Sequence, residues 1–156
     1  MSPNPNVDNS MAGQHKEHDM QLVTYLAFDG NCEAAFKFYA KCLGGAVTAM
    51  HKFGGSPMAS HVPPECMDKI MHGRLEVGNS VLMGSDSMPQ HPYEGVKGCS
   101  VSINVNDVAE AERVFAALSE NAKVMMPIQK TFWAARFGML IDQFGVPWMV
   151  NCEAAA

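Results

Sequence analysis

The feature that most constrains the fold of this 156-residue chain is that it reads twice. Residues 22–28 are rich in β-branched and aromatic side chains and read as a strand, stopped by Asp29-Gly30-Asn31. A helix follows, with Asn31 as N-cap, Glu33 and Lys37 paired four residues apart, Phe36, Tyr39 and Leu43 on one side, and Gly44-Gly45 as terminator. Residues 46–53, 69–77 and 80–85 read as three further strands, the last two joined by a Gly78-Asn79 turn. The same order then returns: a strand over 99–105, a helix opened by Asp107 and Glu110 in capping-box spacing, and strands over 123–129, 134–141 and 148–152. A shift of 76 carries Thr24 onto Ser100 and Phe38-Tyr39 onto Val114-Phe115, and a shift of 67 carries Gly78 onto Gly145 and Val81 onto Trp148. The long segment 54–68 absorbs the difference. A βαβββ unit alone exposes an apolar sheet face, so two such units must pair.

The predicted architecture is therefore α+β, with tandem βαβββ modules forming a curved mixed sheet around a cavity. Module one covers 21–86, a polar Pro/Gly linker 87–98, and module two 99–153 within a single domain 21–156. Residues 1–20 are polar and read as a flexible tail, and His15 and His18 within it read as solvated. Segment 54–68, with three Pro and two Gly, is the lid candidate.

Composition narrows the function. A net charge of −5 with no basic run argues against nucleic acid and anionic lipid as partners. No apolar run approaches the roughly 20 residues of a membrane span, and the polar N-terminus lacks the apolar core of a signal peptide, so the chain is expected to be cytoplasmic. Five cysteines, odd in number and without a Cys-x-x-Cys pair, read as reduced and mostly buried. Thirteen methionines point to an adaptable core or a pliable apolar pocket. No Gly-x-Ser-x-Gly elbow, Gly-x-Gly-x-x-Gly turn or P-loop occurs, which removes those hydrolase, dinucleotide and nucleotide templates.

Alternation along 69–77 puts Ile70, His72, Arg74 and Glu76 on one strand face. His72 and Glu76 stand about 13 Å apart along it and so cannot share an ion. His72 alone can serve as general base or hydrogen-bond donor, or simply bond a neighbouring strand. Trp133 and Arg136 can hold a planar or anionic ligand by stacking and a bidentate contact, the alternative being a packed Trp and a solvated Arg. Ser100, Ser102 and Asn104 share a strand face and supply a polar wall, whereas Thr24, Leu26, Met83 and Met149 supply an apolar one. With Asn151 these complete the candidate pocket. Cys32 at a helix start reads as a buried thiol rather than an activated one. His51, His61 and His91 fall near loops and edges and read as solvated.

Several strings give this reading a family. Asp29-Gly30-Asn31-Cys32-Glu33-Ala34-Ala35-Phe36, Lys69-Ile70-Met71-His72, Leu82-Met83-Gly84-Ser85-Asp86, Phe132-Trp133 and Phe144-Gly145-Val146-Pro147-Trp148-Met149-Val150 resemble the PhnB-like branch of the vicinal oxygen chelate superfamily, which includes glyoxalases, extradiol dioxygenases and bleomycin-resistance proteins. The resemblance implies the glyoxalase/bleomycin-resistance-like fold and a homodimer. In the superfamily's enzymes a His or Gln early in each module and a Glu near its last strand hold a divalent metal. Those places fall here on Thr24, Ser100, Leu82 or Met83, and Met149, none of them a strong metal ligand. The expectation is a metal-free protein without cofactor that binds a small organic molecule. A glyoxalase- or dioxygenase-type enzyme with a divalent metal displaced toward His72 is the alternative. A structural domain with a methionine-filled pocket is the third reading. A methyltransferase label, used for some PhnB-like proteins, has no methyl-donor nucleotide site to stand on here.

Overall fold

The protein, described by a computed structural model over residues 20–154, is built from two βαβββ modules. The tail with His15 and His18 lies outside the described residues, apart from Met20. Module one runs β1 (Thr24–Phe28), α1 (Cys32–Leu43), β2 (Ala46–Lys52), β3 (Ile70–Val77) and β4 (Ser80–Asp86). Module two runs β5 (Val101–Val105), α2 (Val108–Leu118), β6 (Lys123–Gln129), β7 (Ala134–Ile141) and β8 (Pro147–Glu153). Each module forms its own four-stranded mixed sheet, ordered β1-β4-β3-β2 and β5-β8-β7-β6. The first strand of each pairs in parallel with the last, and the remaining pairs are antiparallel. β1 and β5 are both sheet edges.

One face of each sheet carries the helix. α1 buries Cys32, Ala35, Phe36, Tyr39 and Cys42, and α2 buries Ala111, Val114, Phe115 and Leu118. Glycines make the close approach possible. A Cβ on Gly73 would stand 2.8 Å from the Phe36 ring, and one on Gly138 would stand 2.6 Å from the ring of Phe115. α2 is capped as its sequence predicts, with the Asp107 carboxylate accepting from Glu110 N–H at 3.1 Å. α1 is not: the Asn31 side chain makes no cap bond, and buried Asp86, at the end of β4, takes the Cys32 N–H at 2.9 Å and the Ile70 N–H at 2.8 Å.

The modules dock through these helix-bearing faces. Tyr39 of α1 lies 5.0 Å from the ring of Trp148 in β8, and Phe38 lies 5.7 Å from Phe144. The Tyr39 hydroxyl donates to Asp142 Oδ2 at 2.5 Å, which also accepts from Trp148 Nε1 at 2.8 Å. Arg113 of α2 donates to the carbonyl of Cys42 at the end of α1. The helix layers thus meet, and the second, bare face of each sheet turns away from the other module.

The sequence overlay needs one correction of phase. β1 and β5 superpose with a shift of 77, pairing Thr24 with Val101 and Tyr25 with Ser102, because both stand opposite equivalent partners in β4 and β8. Three residues separate β1 from α1 but only two separate β5 from α2, so a shift read from the helices is one residue short in the strands. The later strands superpose Leu82 on Trp148, a shift of 66, because the turn before β8 is longer than the Gly78-Asn79 turn. Segment 54–68 is folded back on itself, with Phe53 and Gly54 N–H bonded to Lys69 and Met67 carbonyls and Cys66 fully buried.

Candidate ligand site on the bare sheet faces

Strand parity decides which side chains a ligand can reach. In β1 Leu26 and Phe28 are buried under α1, which leaves Tyr25 and Ala27 on the bare face. Register then aligns two rows across each sheet. In sheet two the first row is Ser102, Met149, Met139 and Met126, and the second is Asn104, Asn151, Phe137 and Gln129. In sheet one Tyr25, Met83, Arg74 and Ala49 make the first row. Ala27 opposite Ser85 and His72 opposite His51 make the second.

The two bare faces differ in chemistry. That of sheet one is polar: His72 stacks on Tyr25 with ring centroids 6.0 Å apart, and the Arg74 guanidinium pairs with Glu76 at 2.9 Å. Sheet two is apolar with an amide margin. Trp133, half exposed, lies 5.6 Å from Phe137, and Phe132 packs edge-on against Trp133 at 4.7 Å. Asn151 donates to Asn104 Oδ1 at 3.3 Å.

Of the residues singled out in the sequence, His72 and Met83 meet on the face of sheet one, and Ser102, Trp133, Met149 and Asn151 on that of sheet two. Ser100 precedes β5. Leu26 is 3% exposed beneath α1 and reaches neither face. Thr24 shares its parity and borders a separate groove of about 780 Å³ between the edges of β1 and β5, together with Leu22, Leu82, Ile103 and Ser102. Arg136 stands on the helix side, sharing the parity of Gly138 and Leu140, where it bonds Glu112 of α2 at 2.8 Å and the Ala135 carbonyl. Tyr25, Met126 and Met139 escaped the sequence reading, and Phe137 entered it only as the end of the aromatic segment 132–137. The signal for Tyr25 was the buried parity of its neighbours Leu26 and Phe28, and for Phe137 and Met139 that of Gly138 and Leu140.

The metal places implied by the resemblance become, on the bare faces, the pairs Tyr25–Met83 and Ser102–Met149. A phenol, a hydroxyl and two thioethers do not fit zinc or a harder dication, which take imidazole, thiolate or carboxylate. Among the described residues no three His, Cys, Asp or Glu side chains converge on one point. Cys32 offers no nucleophile: burial, then the charge of Asp86, pushes its thiol up to about 12.

Two helix-backed βαβββ modules with bare opposite faces define a protein of the glyoxalase/bleomycin-resistance-like fold. The chain belongs to the PhnB-like branch of the vicinal oxygen chelate superfamily: residues 20–151 match the family model described as 3-demethylubiquinone-9 3-methyltransferase. Protein YjdN of Escherichia coli (strain K12) is 34% identical over 140 residues, covering 85% of this chain and 95% of that protein. The crystal structure of protein PA1353 from Pseudomonas aeruginosa is 57% identical, covers 86% of this chain and 98% of its own, and superposes with a TM-score of 0.80. A Bacillus cereus protein described as a putative 3-demethylubiquinone-9 3-methyltransferase, PhnB protein, shares the fold at 20% identity, with 85% and 99% of the two chains covered and a TM-score of 0.71. No helix among the described residues is long and apolar enough to cross a membrane.

Proposed function

We propose that this protein binds a small organic molecule on the bare sheet faces, without a metal or other cofactor, and works as a cytoplasmic homodimer. One observation carries the reading: each sheet leaves a face uncovered on which half-buried methionine and aromatic side chains alternate with a few amide, hydroxyl and imidazole groups. Such a mixture gives a ligand apolar contact area and a small set of orienting hydrogen bonds. The partner reading is supported by the groove between the edges of β1 and β5, floored by Leu75, Leu82 and Val114 and bordered by Leu22, which is 98% exposed. Unpaired edges above an apolar floor suit a second copy, which would bring the bare face of one chain's sheet one toward the other chain's sheet two. A cytoplasmic setting fits five free cysteines, four of them buried.

The methyl transfer in the family description requires a methyl donor, and this sequence has no motif for one. The test is metal analysis of protein purified without chelator, then thermal shift on adding zinc, nickel, manganese or iron(II), with light scattering for mass. A dimer of no metal content and unmoved melting temperature is expected. A stoichiometric metal abolished by His72→Ala would overturn the reading in favour of an enzyme.

A further inference from the structure

We infer that the bare face of sheet two takes a flat, uncharged aromatic molecule about the size of two fused six-membered rings. The inference rests on the binding reading above and adds the chemical class of the ligand.

Shape is the first ground. The row Met149–Met139–Met126 and the row Asn151–Phe137–Gln129 lie across β8, β7 and β6. Strands stand about 4.8 Å apart and same-face neighbours about 7 Å apart along a strand, so these six side chains form a platform of roughly 10 by 7 Å. Thioethers are polarisable and conform to a ring face, and Phe137 adds a ring of its own. At the end of the platform Trp133 touches Phe137 and leaves half its surface exposed. An aromatic side chain held half in the open beside a methionine surface presents a free face for stacking.

Charge is the second ground. The platform carries no ionised side chain. Lys123 and Glu153 stand opposite Ile141 and Ala134 at the two ends of β7, outside the six-residue platform. The cation the sequence offers to this site, Arg136, is held on the other side of the sheet by Glu112. A carboxylate or phosphate ligand would lose hydration with no free cation on the platform to replace it, since Lys123 stands beyond its end opposite Ile141 and the Arg74 guanidinium of sheet one is already paired with Glu76. What the margin does offer is neutral: the amides of Asn104, Asn151 and Gln129 and the hydroxyl of Ser102, donors and acceptors suited to a ring carbonyl, hydroxyl or carboxamide.

The test uses the full chain, with 2-naphthamide and 2-naphthoate as probes that share a ring system and differ in charge, titrated calorimetrically at neutral pH. Decahydronaphthalene-2-carboxamide controls for flatness. The amide is expected to bind at least tenfold more tightly than either, and Trp133→Ala to weaken it about tenfold while Trp133→Phe restores most of the affinity. Trp133 is half exposed, so the melting temperature of either variant should stay within a few degrees of the parent and exclude misfolding. Equal or tighter binding of the naphthoate overturns the uncharged class while leaving a binding protein. Amide binding untouched by Trp133→Ala but lost in Tyr25→Ala moves the ligand to sheet one and overturns the assignment. Failure of both probes also overturns it, and a thermal-shift screen of an unbiased compound set then decides separately whether the protein binds small molecules at all.

Discussion

Asp86 takes the backbone N–H groups of Cys32 and Ile70, whereas Asp142 takes those of Phe144 and Val146 and two side chains as well, one of them from the other module. Both carboxylates are about 4% exposed, so each acceptor bond replaces hydration that burial removed. Tyr39→Phe removes one donor to Asp142 and leaves Trp148 Nε1 in place, and should cost about 1–3 kcal/mol, read as a lower urea midpoint with unchanged slope. The same region sets a response to alkali. Burial and the neighbouring Asp86 raise the Cys32 thiol from 9.0 to about 12, and burial with Asp142 raises the Tyr39 phenol further still. Both groups keep their protons in the folded chain after the unfolded chain has released its own. Their contribution is complete below pH 9 and drains away as pH rises through the window up to about 12. Melting temperature should therefore fall steadily above pH 9, and Cys32→Ser should flatten part of that fall. A melting temperature constant to pH 11 would contradict the burial of both groups.

At the scale of the elements, the helix–sheet contact is set by glycines under rings. Gly73 and Gly84 are cross-strand partners beneath Phe36, and Gly138 lies beneath Phe115. Gly138→Ala puts a methyl group 2.6 Å from a ring carbon in a packed layer and should cost about 1–3 kcal/mol by chemical denaturation. Adding Phe115→Leu should recover part of that loss, which a defect of the backbone alone would not allow. The elements themselves were legible in the sequence: β6 and β7 fall where alternation and turn residues put them, and the other boundaries differ by a residue or two. What was not legible was the phase of the strands. A strand repeats every two residues, so the one-residue difference between the β1–α1 and β5–α2 loops exchanges the helix side for the bare side. That single step put Leu26 among the pocket residues and hid Tyr25. Arg136 was misread because its parity was not followed: it alternates with Gly138 and Leu140 on the helix side, and the bulge at Ala134–Arg136 lies before it.

For the whole molecule, the decisive fact is that the two modules share an aromatic seam. Phe38, Tyr39, Phe144 and Trp148 come from both modules and lie with ring centroids 5.0–6.1 Å apart, closed by the Asp142 bonds and by Arg113 on the Cys42 carbonyl. Neither module can bury this surface alone, because Trp148, at 1% exposure, and Tyr39, at 0%, cover each other. The modules should therefore unfold together. The two tryptophans make this measurable: Trp148 sits in the seam, Trp133 stands on the outer face of sheet two, and Trp133→Phe isolates the seam signal. In urea, seam fluorescence and far-ultraviolet circular dichroism should trace one coincident transition. Phe144→Ala removes a partly buried seam ring, should cost about 1–3 kcal/mol, and should move both probes to the same lower midpoint. If the seam were merely a contact between independently stable modules, seam fluorescence would change first and leave most of the dichroism intact. In that case each bare face would belong to a module able to fold without its neighbour, and the repeat would be two binding units on one chain rather than one fold written twice.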